Sequence, residues 1–151
     1  MDSTAEVPSV AQVDTGFLET LVGYNTRRAT LVIVDAFIRH MAVYDLKPVE
    51  FSVLSLIHHN PGITSRQLCA SLSIQPPNLV GMINALQKRS LITRRPHPHD
   101  GRAMGLHLTA PGQALAQQAE QTASELERQA TAGLSAAERK TLIQLLRKIY
   151  I

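Results

Sequence analysis

The sequence has little of the chemistry that extracellular or membrane proteins need. It contains one cysteine, Cys69, and so has no internal disulfide and no cysteine-rich zinc site. Its longest apolar run, Ala29 to Val34, falls far short of the roughly 20 residues that a membrane helix requires. No basic segment precedes an apolar one at the N-terminus. We therefore expect a cytoplasmic protein with no export signal and no membrane partner.

Aromatic residues (4%) and charged residues (18%) are also sparse, whereas 44% of the 151 residues are apolar. This balance excludes a disordered chain and favours one Ala- and Leu-rich helical domain. Acidic residues are nearly absent between residues 66 and 102, where Asp100 stands among six Lys and Arg residues. That stretch is a local cationic patch, although the formal net charge of the chain is only +3.

Catalytic and metal-binding patterns are missing as well. The sequence has no nucleophile with a paired base, no phosphate-binding loop and no acidic pair at a useful spacing, so it does not predict an enzyme. Cys69 lies between Leu68 and Leu72 as a small core residue does, and not in the exposed, electropositive setting of a redox thiol. His97 and His99 give two metal ligands, too few for a tetrahedral site. We expect neither a metal nor a cofactor.

Helical periodicity begins after residues 1–16, which we expect to form a flexible tail. Apolar residues recur at steps of three and four from Phe17 to about Ala42, which predicts a long first helix with one face that must be covered. Pro48 suits a first helical turn and predicts a second helix that ends near His59.

A helix-turn-helix is predicted next. Thr64-Ser65-Arg66-Gln67 matches a capping box and predicts a short helix over 65–71. After a tight turn, Pro76-Pro77 can open a second helix, placed near 75–89, because the first N–H groups of a helix have no intrahelical partner. A buried stripe is predicted on this helix at Leu79, Met82, Ile83 and Leu86, with a polar side opposite.

A β-hairpin and two further helices complete the pattern. Residues 90–95 and 103–109 read as strands around a tip rich in turn-forming residues. Thr109 can cap the helix that follows. Ser135 and Glu138 form a second capping box, which predicts a terminal helix with an apolar stripe at Leu142, Leu145, Leu146 and Ile149.

The order of these elements resembles the MarR (multiple antibiotic resistance regulator) family from Phe17 to the end of the chain. The segments that carry the resemblance are Leu68–Ile74 and Leu86–Ile92, the wing Arg94–Arg102 with an Asp-x-Arg signature at Asp100 and Arg102, Leu106–Gly112, and Leu134–Arg139. The resemblance implies a mainly α fold with a small β-hairpin. In that fold a winged helix-turn-helix over 47–109 is flanked by dimerisation helices over 17–45 and 110–151.

Duplex DNA is the partner that this arrangement predicts, because a helix fits the major groove, where base edges can be distinguished. Gln75 and Asn78 are the candidates for base contacts, since amide side chains pair with adenine, and Pro77 or Val80 can meet a thymine methyl group. The alternative is that Gln75 and Asn78 only cap the turn. The family's usual arginine or hydroxyl residues are replaced at Pro77, Val80 and Gly81, and a glycine stands in the middle of the Asp-x-Arg signature.

Four basic residues are expected to neutralise phosphates, namely Lys88, Arg89, Arg94 and Arg95, and Arg102 is expected to enter a minor groove. The alternative is that these residues form an ordinary solvated basic face. Asp100 is expected to fix the wing by bonding nearby backbone or Arg102, because a carboxylate is repelled by phosphates. The complete predicted DNA-binding set is Gln75, Pro77, Asn78, Val80, Gly81, Lys88, Arg89, Arg94, Arg95, His97, His99 and Arg102.

Apolar terminal helices predict a homodimer, which would present two recognition helices to a pseudo-palindromic operator. The resemblance further implies a repressor that is released by a small molecule bound between the dimer helices and the winged domain. An anionic aromatic ligand would suit the candidate residues Tyr24, Arg27, Arg28, His40 and His58, which are otherwise ordinary surface or core side chains. The alternative function is a helical protein-interaction module that keeps the fold without reading DNA.

Overall fold

The computed structural model describes residues 9–151, in two compact units, one that ends at Val32 and one that comprises Ile33–Ile151. The helices are α1 (Gly16–Glu19), α2 (Val22–Met41), α3 (Pro48–His59), α4 (Ser65–Leu72), α5 (Pro76–Lys88), α6 (Ala110–Ala130) and α7 (Ala136–Tyr150), and the strands are β1 (Ile63–Thr64), β2 (Ile92–Pro96) and β3 (Met104–Leu108). None of these helices is long and apolar enough to cross a bilayer.

The predicted N-terminal tail falls partly on residues 1–8, which lie outside the described residues. Residues 9–15 contain no helix or strand, and Gly16 already belongs to α1.

A break interrupts the helix that was predicted from Phe17 to Ala42. The prediction of one continuous helix was therefore wrong. The structure has α1 and α2 with a gap at residues 20–21. Asn25 stabilises the gap, because its side-chain amide donates to the carbonyls of Glu19 and Leu21, each at 2.8 Å. Apolar side chains of this first unit are exposed, among them Phe17 (77%) and Val22 (67%).

The core of the second unit confirms the predicted helix-turn-helix. The Thr64 hydroxyl accepts from the Gln67 amide N–H at 3.3 Å, and the Gln67 side chain accepts from the Thr64 N–H at 3.0 Å, which completes the capping box. Leu79, Ile83 and Leu86 of α5 are buried, as the stripe predicts, and Met82 is half-buried. They share the core with side chains of α3, α4 and the sheet, including Val53, Leu54, Ile57, Leu68 and Ile92.

The predicted hairpin is present, with β2 and β3 antiparallel and Ile92 opposite Leu108. A third strand, β1, was not predicted and pairs with β3, so the strand order is β1-β3-β2. Gly62 makes the turn before β1 with a φ of 90°, a left-handed conformation that favours glycine. A strand of two residues is too short to show an alternating pattern, so the sequence does not indicate it.

A tight junction joins the end of α5, the base of the hairpin and the start of α6. The Thr109 hydroxyl accepts from the Gly112 N–H at 3.0 Å, which caps α6, and donates to the Ser90 carbonyl at 2.7 Å. The Thr109 N–H donates to the Leu91 carbonyl at 3.0 Å. A Cβ atom added to Gly112 would lie 2.0 Å from that same carbonyl oxygen. Only glycine therefore fits at this position without a backbone shift.

We expect Gly112→Ala to destabilise the protein by about 1–3 kcal/mol or more, because the added methyl group would force α6 away from Leu91. The measurement is the free energy of unfolding in urea. The matched control is Gly81→Ala, where a Cβ meets nothing within 4 Å and the gain in helix propensity should stabilise α5 by about 0.5–1 kcal/mol. Equal stability of the two variants would contradict this account of the junction.

Candidate nucleic-acid interface

Helix α5 turns one side to the core and the other to solvent. The predicted DNA-binding residues at the start of this helix all lie on the exposed side or at its N-terminus, namely Gln75, Pro77, Asn78, Val80 and Gly81. Gln75 occupies the N-cap position, yet its side chain forms no capping hydrogen bond. The Asn78 side chain also forms no hydrogen bond with a described residue. The capping alternative therefore gains no support, and both amides remain exposed.

A hydrogen bond connects the wing directly to α5: the Arg94 guanidinium donates to the Asn84 side-chain oxygen at 2.8 Å. Asn84 lies on the exposed face of α5 with Pro77, Gly81 and Lys88, at the spacing of one helical stripe. Asn84 was not among the predicted DNA-binding residues, although this spacing could have identified it. The bond fixes the position of the wing relative to the exposed face of α5.

Arg89, at the end of α5, is already engaged within the chain. Its guanidinium donates to the carbonyls of Asp45 and Tyr44 at 2.8 and 2.9 Å, and so ties α5 to the 3₁₀ turn Ala42–Tyr44. Its phosphate contact stays a prediction. Lys88, by contrast, is exposed and forms no hydrogen bond with a described residue.

Asp100 organises the tip of the wing as the sequence predicts. Its side-chain oxygen accepts from the Arg102 backbone N–H at 3.0 Å. The Arg102 side chain takes no part in this bond and is exposed. His97 is half-buried, and its ring nitrogen Nδ1 accepts from the His99 N–H at 3.2 Å. The wing therefore presents Arg102 and His99 to solvent on a turn held by side-chain hydrogen bonds.

The two neighbouring arginines of β2 lie on opposite faces of the hairpin, because side chains alternate along a strand. Arg94 pairs across the sheet with Leu106 and faces α5, whereas Arg95 lies on the face of His107, which is opposite Thr93. On the Arg95 face the second unit contains a cavity of about 230 Å³, lined by Ile57, His58, Pro61, Arg95, His107, Leu108 and Gln113.

The electrostatics of this cavity favour an anion. Desolvation, and next the charge of Arg95, lower the pKa of His107 below its ordinary value, so Arg95 is the fixed positive charge there. The Thr93 hydroxyl oxygen, on the same face of the hairpin as His107, is buried and has no hydrogen-bond partner among residues 9–151. A fixed cation beside polar groups is the usual arrangement in pockets for small anions.

One of the residues predicted to bind a ligand, His58, lines this cavity. His40 is exposed, and its Nδ1 lies 2.7 Å from the Ala36 carbonyl oxygen. Arg27 and Arg28 are exposed and Tyr24 is half-buried, all three in the first unit. The ligand role of these four residues stays a prediction.

His58 also belongs to a polar cluster that the sequence did not predict. Oε1 of Glu120 on α6 accepts from the Ser55 hydroxyl at 2.8 Å and lies 2.8 Å from His59 Nε2 and 3.4 Å from His58 Nδ1. Burial raises the pKa of Glu120, but the hydrogen bonds from Ser55, His59 and His58 outweigh burial, so the pKa lies below its ordinary value.

Several known proteins are similar to this chain in sequence and in fold. The sequence model of the MarR family matches residues 44–103. A transcriptional regulatory protein assigned to the hcr operon of Thauera aromatica is 32% identical over 143 residues, which cover 93% of this chain and 86% of the relative. The transcriptional repressor CouR bound to a 23-mer DNA duplex is 34% identical with a TM-score of 0.86, over 93% of this chain and 100% of that one. CouR bound to p-coumaroyl-CoA is 33% identical with a TM-score of 0.79, and the match covers 91% of this chain and 97% of that one.

Proposed function

Because the chain belongs to the MarR family, we propose that it is a homodimeric transcription repressor that binds duplex DNA and is released by an anionic aromatic ligand. The observation that carries the proposal is the exposed face of α5, bonded through Asn84 to Arg94 of a cationic wing. A helix and a hairpin fixed to one another in this way can occupy adjacent grooves of one duplex. The similarity to a repressor in complex with DNA supports the same assignment.

Within this proposal the exposed residues divide into two roles. Gln75 and Asn78 at the start of α5 read base edges, because their side-chain amides form no hydrogen bond with the described part of the chain and can donate and accept together. Lys88, and Arg102 at the wing tip, bind the sugar-phosphate backbone through charge. Arg89 serves mainly to hold α5 in place, since two of its donors are bonded to backbone carbonyls.

We expect Lys88→Ala to weaken binding to all DNA sequences alike and to reduce the slope of log affinity against log salt by about 1. Asn78→Ala should leave that slope unchanged and relax the preference at one base pair by about 1–3 kcal/mol. Salt-dependent gel shifts, after selection of bound sites from random DNA, measure both effects. Arg128→Ala, on α6, is the charge-matched control and should change neither quantity.

Selection that enriches no DNA sequence would reject the repressor and favour the alternative, a protein-interaction module of the same fold. Far-UV circular dichroism of the protein used in the selection, and of each variant, checks that it is folded, so that a loss of DNA recognition is not confused with unfolding.

Dimerisation is supported by the apolar surface of α7. None of its residues is buried within the chain, and Leu145 and Ile149 are 54% and 68% exposed. Leu142, Leu145 and Ile149 lie on one face by helical spacing, which is the surface that a second copy would cover. A two-fold dimer places its recognition helices about 34–36 Å apart, one turn of DNA.

Leu145→Asp should therefore yield monomers and reduce DNA affinity together, because the pairing surface would have to bury an unpaired carboxylate at a cost of several kcal/mol. Light scattering gives the mass, and a gel shift gives the affinity. Gln144→Asp, on the opposite side of α7, adds the same charge and should leave the dimer intact. A monomeric Leu145→Asp protein with unchanged DNA affinity would refute the two-fold mode of binding.

For the effector site we propose the cavity between α3, α6 and the Arg95 face of the hairpin. Arg95 supplies a charged donor for a carboxylate or phosphate, and Ile57 and Leu108 supply apolar wall. A ligand there touches both the wing and the helices that carry it, so it can favour one wing position over another. The aromatic acyl-CoA bound by CouR supports an aromatic acid, free or as a CoA thioester, as the ligand class.

We expect p-coumarate or p-coumaroyl-CoA to bind the protein and release DNA, and Arg95→Gln to weaken that binding by about tenfold or more. An anion near His107 should raise its lowered pKa, so ligand binding takes up a proton and strengthens as the pH falls toward the pKa that His107 has in the complex. His107→Gln should flatten this dependence. Calorimetry at several pH values measures it, with Arg66→Gln on α4 as the control. Equal affinity in the Arg95 and Arg66 variants would place the ligand elsewhere.

A further inference from the structure

The cluster of Ser55, His58, His59 and Glu120 has a geometry that neither DNA binding nor the effector cavity requires. Ser55, His58 and His59 occupy positions i, i+3 and i+4 of α3, and therefore project from one side of the helix. Glu120 projects from α6 toward that side, as the hydrogen bond from Ser55 to its Oε1 shows. Two imidazole rings and one carboxylate thus converge from two different helices.

We propose that His58, His59 and Glu120 form a binding site for a divalent transition-metal ion of the zinc class. One ligand atom from each residue, two nitrogens and one oxygen, lies within 4.8 Å of the other two. Ligand atoms around tetrahedral zinc, each about 2.1 Å from the metal, lie roughly 3.4 Å apart. His58 Nδ1 already lies 3.4 Å from Glu120 Oε1, and His59 Nε2 lies 2.8 Å from it.

The adjustment needed to admit an ion is small. For the His59–Glu120 pair, the side chain of His59, which is 63% exposed, has to withdraw by less than about 1 Å to reach tetrahedral spacing, and both histidine ligand atoms already lie within 4.8 Å of one another. The Ser55 hydroxyl would continue to orient the carboxylate, as hydrogen-bonding partners commonly do for metal ligands. Three protein ligands leave the fourth position of the ion to solvent.

Charge favours the same occupant. Glu120 is only 26% exposed, and none of its ion-pair partners among residues 9–151 is a lysine or an arginine. Because a metal-ligating imidazole is neutral, a divalent cation bound here would supply the charge that compensates this partly buried carboxylate. The mixture of imidazole nitrogen and carboxylate oxygen suits zinc and cobalt better than calcium or magnesium, which prefer oxygen alone.

An ion at this position would connect two parts of the second unit. Helix α3 leads into the turn before the helix-turn-helix, and α6 runs from the base of the wing toward the C-terminus. Because the unfolded chain does not hold the three ligands together, metal binding should also raise the temperature of unfolding.

The test is titration of the untagged full-length protein with ZnCl₂ by calorimetry, and with CoCl₂ by visible absorption. We expect one ion for each chain and the intense absorption of a low-coordinate cobalt site. His59→Gln should weaken zinc binding by at least the roughly 10- to 100-fold seen when only an outer partner of a metal ligand is lost. Glu120→Gln should do the same. These measurements use free protein, so they do not depend on whether the chain binds DNA.

The matched control is the double variant His97→Gln with His99→Gln, which removes the wing histidines, whose ring centroids lie 6.0 Å apart. It should bind zinc as the wild type does. His59→Gln removes an exposed side chain, so it reports on the site even if Glu120→Gln does not fold. The absence of saturable zinc binding by the wild type would show a hydrogen-bonded cluster only and overturn the proposal. Undiminished binding by His59→Gln would overturn it as well.

Discussion

The carbonyl of Leu91 is the point on which the geometry of the second unit depends. It accepts from the Thr109 N–H, and the α-carbon of Gly112 packs so closely on it that a methyl group has no room. The Thr109 hydroxyl donates to the Ser90 carbonyl at the same junction. Ser90 has a φ of 59°, and this left-handed conformation lets the chain leave α5 and enter β2. The end of α5, the base of the wing and the start of α6 are therefore held together at one junction.

From that joint the hairpin extends with two chemically different faces. Residues one apart in sequence, Arg94 and Arg95, are separated by the thickness of the strand. Arg94 bonds to Asn84 on the exposed face of α5, and Arg95 lines the cavity beside His107. A strand that carries one cation to each face places the proposed operator contact and the proposed effector contact on adjacent residues of the same backbone.

Local signals in the sequence were sufficient for most of the fold. The capping box at Thr64, the proline start of α3 and the apolar stripe of α5 each act within a few residues, and the structure confirms all three. The break before α2 depends on one side chain, Asn25, that bonds back to two carbonyls, and no periodicity reports such a bond.

Features that depend on distant parts of the chain were not accessible in the same way. The pairing of Ser55, His58 and His59 with Glu120 joins residues more than 60 positions apart, so the helical spacing gives only the α3 half of that cluster. The division of labour between Arg94 and Arg95 could have been predicted from strand alternation. Which face meets α5 and which meets the cavity depends on how the hairpin packs.

These constraints indicate how a ligand can act on DNA binding. A ligand shifts a conformational equilibrium only by the difference in its affinity for the two conformations. The base of the hairpin cannot move independently of α6, because the Leu91 junction holds both. A ligand that draws Arg95 and His107 toward His58 and Gln113 must therefore bend the hairpin above this fixed base. Arg94 is the neighbour of Arg95 on the same strand, and it holds the wing to α5 through its bond to Asn84. The Arg94–Asn84 bond between the wing and α5 therefore lies one residue along β2 from the proposed effector contact at Arg95.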